Sequence, residues 1–214
     1  MTTLLKLILC LTLLFTACIS LIRAQPHDNS DLIAFLAPPD GCPMPCFIGI
    51  RPGVTTADEA LVILAGHEWL QETRVSYNRN GEIYLIQWAW RESAPSLLDT
   101  SKRGYMFARD GVVRSISMPT TITFADIWLF LGMPDRGGME SPERAATSTF
   151  FQTVGYLDSS MAFESMVTCP VSLAAVFQTR VSIFFLADME ARFGSQDFRL
   201  SEWVRLHPCN TKRV

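Results

Sequence analysis

Arg74-Val75-Ser76-Tyr77-Asn78-Arg79-Asn80-Gly81-Glu82-Ile83-Tyr84-Leu85-Ile86-Gln87-Trp88-Ala89-Trp90 is the stretch that decides the fold class. β-branched and aromatic residues flank Asn80-Gly81, and Asn-Gly supplies the positive φ values that suit the twist of antiparallel strands. The same chemistry recurs at Asp110-Gly111, between strand-like residues 104–109 and 112–118. Val112, Ile116 and Met118 are read onto one face of the latter strand and Ser115 and Ser117 onto the other, as in a half-buried antiparallel strand. The region therefore predicts a four-stranded meander.

Upstream, Thr55 with Asp58 three residues on forms a helix-capping pattern, Ala57, Ala60, Leu61 and Leu64 supply an apolar helical face, and Gly66 is a stop. Downstream the pattern restarts: Thr123-Phe124-Ala125-Asp126-Ile127-Trp128-Leu129 matches Thr55-Thr56-Ala57-Asp58-Glu59-Ala60-Leu61 at the Thr, Ala, Asp and Leu positions. A polar loop over 132–147 leads to strands at 149–156, 161–167 and 181–187, with 171–178 open to helix or strand and a terminal helix at 201–206. The expected fold is α+β, antiparallel sheets with helices packed on one face, in one domain or two similar halves. The divisions are an export signal (1–24), a tether with a cysteine pair (25–46), a helix-plus-meander (47–119) and a degenerate second half (120–214).

The chain has 214 residues, 49% hydrophobic and 18% charged, which suffices for a packed core and excludes a disordered chain. Eighteen basic against 21 acidic side chains, net −3, provide no basic field for holding a nucleic acid. Residues 1–22 carry one charge, Lys6, ahead of an apolar run. The run is shorter than the ~20 residues of a membrane span and fits an export signal. Three outcomes stay open. Phe15-Thr16-Ala17-Cys18 resembles a bacterial lipoprotein box with Cys18 as the lipidation candidate, cleavage after Ala24 is the alternative, and an uncleaved anchor the third. The expected location is extracytoplasmic, secreted or held at the cell surface by a lipid or N-terminal anchor.

Beyond the signal region stand Cys42, Cys46, Cys169 and Cys209, an even set that suits a disulfide framework in an exported chain. The prolines of Cys42-Pro43-Met44-Pro45-Cys46 favour extended geometry, which separates the ends beyond the ~4.4–6.8 Å of a disulfide. Cys42 and Cys46 are therefore each expected to reach Cys169 or Cys209. The spacing does not suit zinc, and no metal or other cofactor is expected.

Pro52-Gly53-Val54-Thr55-Thr56-Ala57-Asp58-Glu59-Ala60, followed by hairpins, resembles the opening of the small outer-membrane assembly lipoproteins of the SmpA/OmlA type. Leu131-Gly132-Met133-Pro134-Asp135 resembles the helix exit of that family, and Phe107-Ala108-Arg109-Asp110-Gly111-Val112-Val113 its later strand-turn-strand. A tandem of such units resembles the β-lactamase inhibitor protein fold. The resemblance covers roughly half of the chain after Ala24. It implies binding to other proteins at the cell envelope and carries over no catalytic or contact residue.

Candidate chemistry is sparse. His67-Glu68 begins like a zincin motif, but Gln71 occupies the place of the second histidine. Asp158, Glu164, Asp188 and Glu190 are available as a glycosidase-type acid and base, with scattered surface acids as the simpler account. Cys169 is a nucleophile candidate only if unpaired. Tyr84, Trp88 and Trp90 share a face of one strand and are the binding candidates; the alternative is that this face packs beneath a helix. The opposite face, Ile83, Leu85 and Ala89 broken by Gln87, is also mostly apolar, so both faces need cover. The favoured function is a non-catalytic module, assembly factor or inhibitor-like, binding another envelope or extracellular protein. The alternatives are a hydrolase of cell-wall or extracellular polymer and a small-ligand sensor.

Overall fold

The computed structural model describes residues 2–24, 30–39, 41–140, 149–168, 172–194 and 197–199. The chain divides into two units, Met1–Phe35 and Leu36–Val214. The first contains α1 (Thr2–Ala24), and α2 (Ser30–Leu36) begins in it, so part of the stretch expected to be a tether is helical. α1 presents Leu7, Leu9, Leu13, Leu14 and Phe15 to solvent. Among the described residues no helix is long and apolar enough to cross a membrane.

The second unit contains α3 (Ala57–Gly66), β1 (Leu70–Tyr77), β2 (Ile83–Trp90), β3 (Gly104–Arg109), β4 (Val112–Thr123), α4 (Phe124–Leu131), β5 (Arg136–Glu140), β6 (Thr149–Tyr156), β7 (Met161–Thr168), α5 (Leu173–Gln178), β8 (Arg180–Leu186) and α6 (Met189–Phe193). The fold is α+β. All eight strands lie in one antiparallel sheet of order β1-β2-β3-β4-β8-β7-β6-β5. Each run of four strands follows a helix, α3 or α4, and pairing of β4 with β8 fuses the two runs.

Both predicted hairpins form. Asn78 Oδ1 accepts from the N–H groups of Asn80 and Glu82, each at 2.9 Å, and Gly81 has φ 81°. Asp110 and Gly111 have φ of 54° and 73°, the two positive values of a twisted hairpin turn. β4 departs from simple alternation. Phe107 pairs with Ser115 but Ala108 with Val113, so Arg114 is bulged and Val113, not Val112, enters the core.

Helix α3 is capped by Thr56 rather than Thr55. Glu59 N–H donates to Thr56 Oγ1 at 3.3 Å, and Thr56 N–H donates to Glu59 Oε2 at 2.9 Å. Thr55 Oγ1 instead accepts from Arg51 N–H at 2.8 Å. Helix α4 has the same box, Thr123 with Asp126, and stops at Gly132, whose φ is 78°. The equivalent caps are thus Thr56 and Thr123, one residue off the letter match. Residues 171–178 resolve in part as helix α5, capped by Ser172, and the expected polar loop contains edge strand β5. The terminal helix expected at 201–206 lies outside the described residues.

One face of the sheet is the core face. Ile86, Met106, Ile116, Phe185 and Met161 form a buried cross-strand row, with Trp88, Met118, Ile183 and Phe163 in the next. A Cβ on Gly104 would stand 2.4 Å from the Trp88 ring, so glycine is what lets the indole lie flat there. α4 and α5 cover the C-terminal half of this face: Tyr156 OH donates to Gly132 O at 2.9 Å, and Gln152 Nε2 to Val176 O at 3.1 Å. Burial pushes the Tyr156 hydroxyl up from its ordinary pKa, so it remains a donor. Over the N-terminal half, Phe47 closes the core, its ring centroid 6.4 Å from Trp88, 6.5 Å from Trp90 and 6.2 Å from Phe185.

The cysteine pairing differs from expectation. Cys42 bonds to Cys46, with Cα atoms 6.0 Å apart. The segment bends at Met44 and Pro45 instead of running extended as its two prolines suggest. Cys169 and Cys209 lie outside the described residues.

Replacing Phe47 by alanine is expected to cost about 3–5 kcal/mol in urea unfolding followed by tryptophan fluorescence, as for other buried aromatics. A cost under about 1 kcal/mol would show that the ring does not anchor the core. For the short Cys42–Cys46 loop, the Cys42→Ser/Cys46→Ser variant is expected to lose about 2 kcal/mol, against ~4–5 for a cross-link closing most of the chain. Non-reducing peptide mapping checks the pairing directly: a fragment joining Cys42 or Cys46 to Cys169 or Cys209 would overturn it.

Candidate binding face

The three aromatic candidates on β2 separate. Trp88 and Trp90 are 0% and 5% exposed, in contact with each other and with Phe47, and so belong to the core rather than to a contact surface. Among the described residues their indole N–H groups have no acceptor. Tyr84, further along the same strand, is 37% exposed and meets the Phe107 ring edge-on. Period-two alternation shows which residues share a face, and the Phe47 loop determines which face is inside.

The opposite face is covered unevenly. Over β6, β7 and β8 it carries α6, whose Met189 and Phe193 cluster with Ala162 and Leu186. Gly155 makes room for that helix, since a Cβ there would lie 2.6 Å from Met189 and 2.8 Å from Phe193. Arg192 ties α6 to Glu164 on β7 at 2.7 Å. Over β2, β3 and β4 the face is open: Leu85, Gln87, Tyr105 and Ser115 are half-buried and Phe107 is 43% exposed. Register sets Leu85 beside Phe107 and Gln87 beside Tyr105. Tyr105 and Phe184 flank Ser117 across β3, β4 and β8 and pair edge-on at 6.3 Å. Ser117 is buried between them, and among the described residues its hydroxyl has no partner.

Charge sits at the margins of this patch. Glu72 accepts from Arg103 at 2.6 Å and from Arg74 at 2.9 Å, and these bonds hold its carboxyl below the ordinary range. At the β3–β4 turn, Asp110 lies 3.9 Å from both Arg109 and Arg114. The sequence reading named the apolar side of β2 but missed Tyr105, Phe107 and Phe184. The signal for Tyr105 and Phe107 was the run Arg103-Gly104-Tyr105-Met106-Phe107-Ala108-Arg109, where the bulkiest residues fall on one alternating set.

The other candidates have local roles. Asp188 caps α6, accepting from Ala191 N–H at 3.0 Å, and Glu164 is held by Arg192 and by Thr153. Asp158 lies in the β6–β7 turn and Glu190 in the first turn of α6. His67 is the C-cap of α3, where its Nδ1 accepts from Trp69 N–H at 3.3 Å. Among the described residues no His, Cys, Asp and Glu cluster suits a metal ion. The side chain of Cys18 lies outside them. Comparison with protein-family models, curated proteins and solved structures finds no match.

Burial lowers the His67 pKa below 6.5, outweighing the opposing pull of Glu68. The unfolded chain therefore takes up this proton at higher pH than the folded protein. The stability contributed by neutral His67 is complete above the unfolded pKa, near 6.5, and is lost as pH falls towards the folded value. Thermal midpoints measured against pH should fall less steeply below this point in His67→Gln than in the parent. Equal slopes would show that His67 is not desolvated.

Proposed function

We propose that this chain is an exported, envelope-associated, non-catalytic module that binds another protein through the open face of β2, β3 and β4. The observation that carries the reading is the solvent-facing set Leu85, Tyr105 and Phe107, backed by Phe184, on a sheet whose other face is already filled. Aromatic and aliphatic side chains with a polar and charged rim are the composition of a protein-binding patch. The resemblance to envelope assembly lipoproteins and to the β-lactamase inhibitor protein fold supports the same class of partner, an assembly factor's client or an inhibitor's target. Export is supported by the apolar N-terminal helix and by the Cys42–Cys46 disulfide, which persists in an oxidising compartment. Mass spectrometry of the native protein distinguishes lipidated Cys18, a start at Gln25 and an intact Met1.

A photo-crosslinking phenylalanine analogue at position 107, introduced in the producing cell, should give a discrete higher-mass adduct. The same analogue at Val62, 74% exposed on α3, should not. Adducts at Val62 alone, or at neither site, would sink the assignment of this face.

A further inference from the structure

We infer that the partner of this face is acidic, bringing carboxylates to two arginine clusters that bracket an apolar contact; the inference rests on the protein-binding reading above. Along β3, Gly104, Met106 and Ala108 are buried in the core, so Tyr105 and Phe107 face the open side, with Arg103 and Arg109 at the ends of that alternate set. Five residues lie between the two arginines, a span of about 20 Å in extended chain. Each heads a cluster of two guanidiniums around one carboxylate, Arg103 and Arg74 around Glu72, Arg109 and Arg114 around Asp110. Among the described residues each cluster therefore has one more guanidinium than carboxylate. The local sign is opposite to that of the whole chain: residues 70–123 contain seven basic and five acidic side chains, net +2, within a protein of net −3.

This arrangement selects among occupants. A second copy of the same face would set arginine clusters against arginine clusters, which costs binding energy through like-charge contact. A bare polyanion would satisfy the arginines but leave Tyr105 and Phe107 wet. A protein segment with acidic residues on both sides of an apolar centre satisfies both, and charge-assisted pairs to arginine fix its register.

The test is selection of a random peptide display library on the purified full-length protein, repeated on Phe107→Ser and on Arg74→Glu/Arg109→Glu. All three side chains are exposed, so the variants keep the fold, which circular dichroism verifies. Peptides that depend on Phe107 are expected to carry acidic residues on both sides of an apolar one. They should bind the double charge reversal roughly tenfold more weakly. Phe107-dependent peptides with no acidic excess, unaffected by the reversal, overturn the inference and leave the binding face standing. Acidic peptides retained equally by Phe107→Ser overturn the bracketed arrangement in favour of a general polyanion site. No Phe107-dependent peptide at all overturns the face and the inference together.

Discussion

The Phe47 ring, lodged against Trp88 and Trp90 of β2 and Phe185 of β8, is the contact on which the rest of the sheet depends. β2 belongs to the first meander and β8 to the second, so one side chain from outside the sheet spans the seam where β4 meets β8. Beneath it the seam has its own ties: the ladder from Ser115 opposite Leu186 to Pro119 opposite Ser182, and the buried Thr120 hydroxyl donating to Val181 O at 2.6 Å. Phe47 is held by short-range devices. It exchanges backbone bonds with Ile50 at 3.0 and 2.8 Å, and the preceding Cys46 is closed onto Cys42. A short loop thereby fixes how two long meanders meet.

That seating has a cost in surface. Two tryptophans, the residue type most favoured in binding sites, are consumed as core filler, and the solvent-facing aromatics move to the other side of the sheet. There the two halves diverge. The second half buries its outer face under α6, for which Gly155 and Ala162 are small enough to leave room. The first half has Gln87, Tyr105, Phe107 and Ser115 in that layer, and among the described residues no helix covers them.

The hairpins were legible because Gly81, and Asp110 with Gly111, take the positive φ those residue types favour, although Asn80 does not, and α4 because Thr123 and Asp126 are each the sole candidate for their capping position. The cap of α3 was displaced by one residue because Thr55-Thr56 followed by Asp58-Glu59 satisfies the spacing twice, and only the competing bond from Arg51 N–H separates the registers. The Val112–Val113 exchange arises from a bulge, a tertiary pairing with no signature at Arg114. β5 escaped notice because Gly137 and Gly138 carry no strand preference; Gly137 is required where a Cβ would meet Phe198 and Thr153 O at 2.9 Å. The disulfide was not legible because Pro43 and Pro45 suggest an extended segment, whereas the Cα atoms of Cys42 and Cys46 stand 6.0 Å apart. The site was legible as a fact about β2, apolar on both sides, but the sidedness of its tryptophans depended on a loop that period-two alternation does not contain.

The open face is also consistent with exposure in the free protein. A layer meant to receive a permanent helix has small or apolar residues, as Gly155, Ala162 and Leu186 show under α6. The equivalent layer over β2–β4 interleaves Gln87, Ser115 and Ser117 with Leu85, Tyr105 and Phe107. A fixed cover would desolvate Gln87 and Ser115 without giving them partners, a penalty of about 1–3 kcal/mol each. The apolar members Leu85, Tyr105 and Phe107 are neighbours in register on adjoining strands rather than scattered singly. Mixed composition of this kind tolerates water and still gains from an occupant that brings its own polar groups. It suits a face that is bare in one state and covered in another.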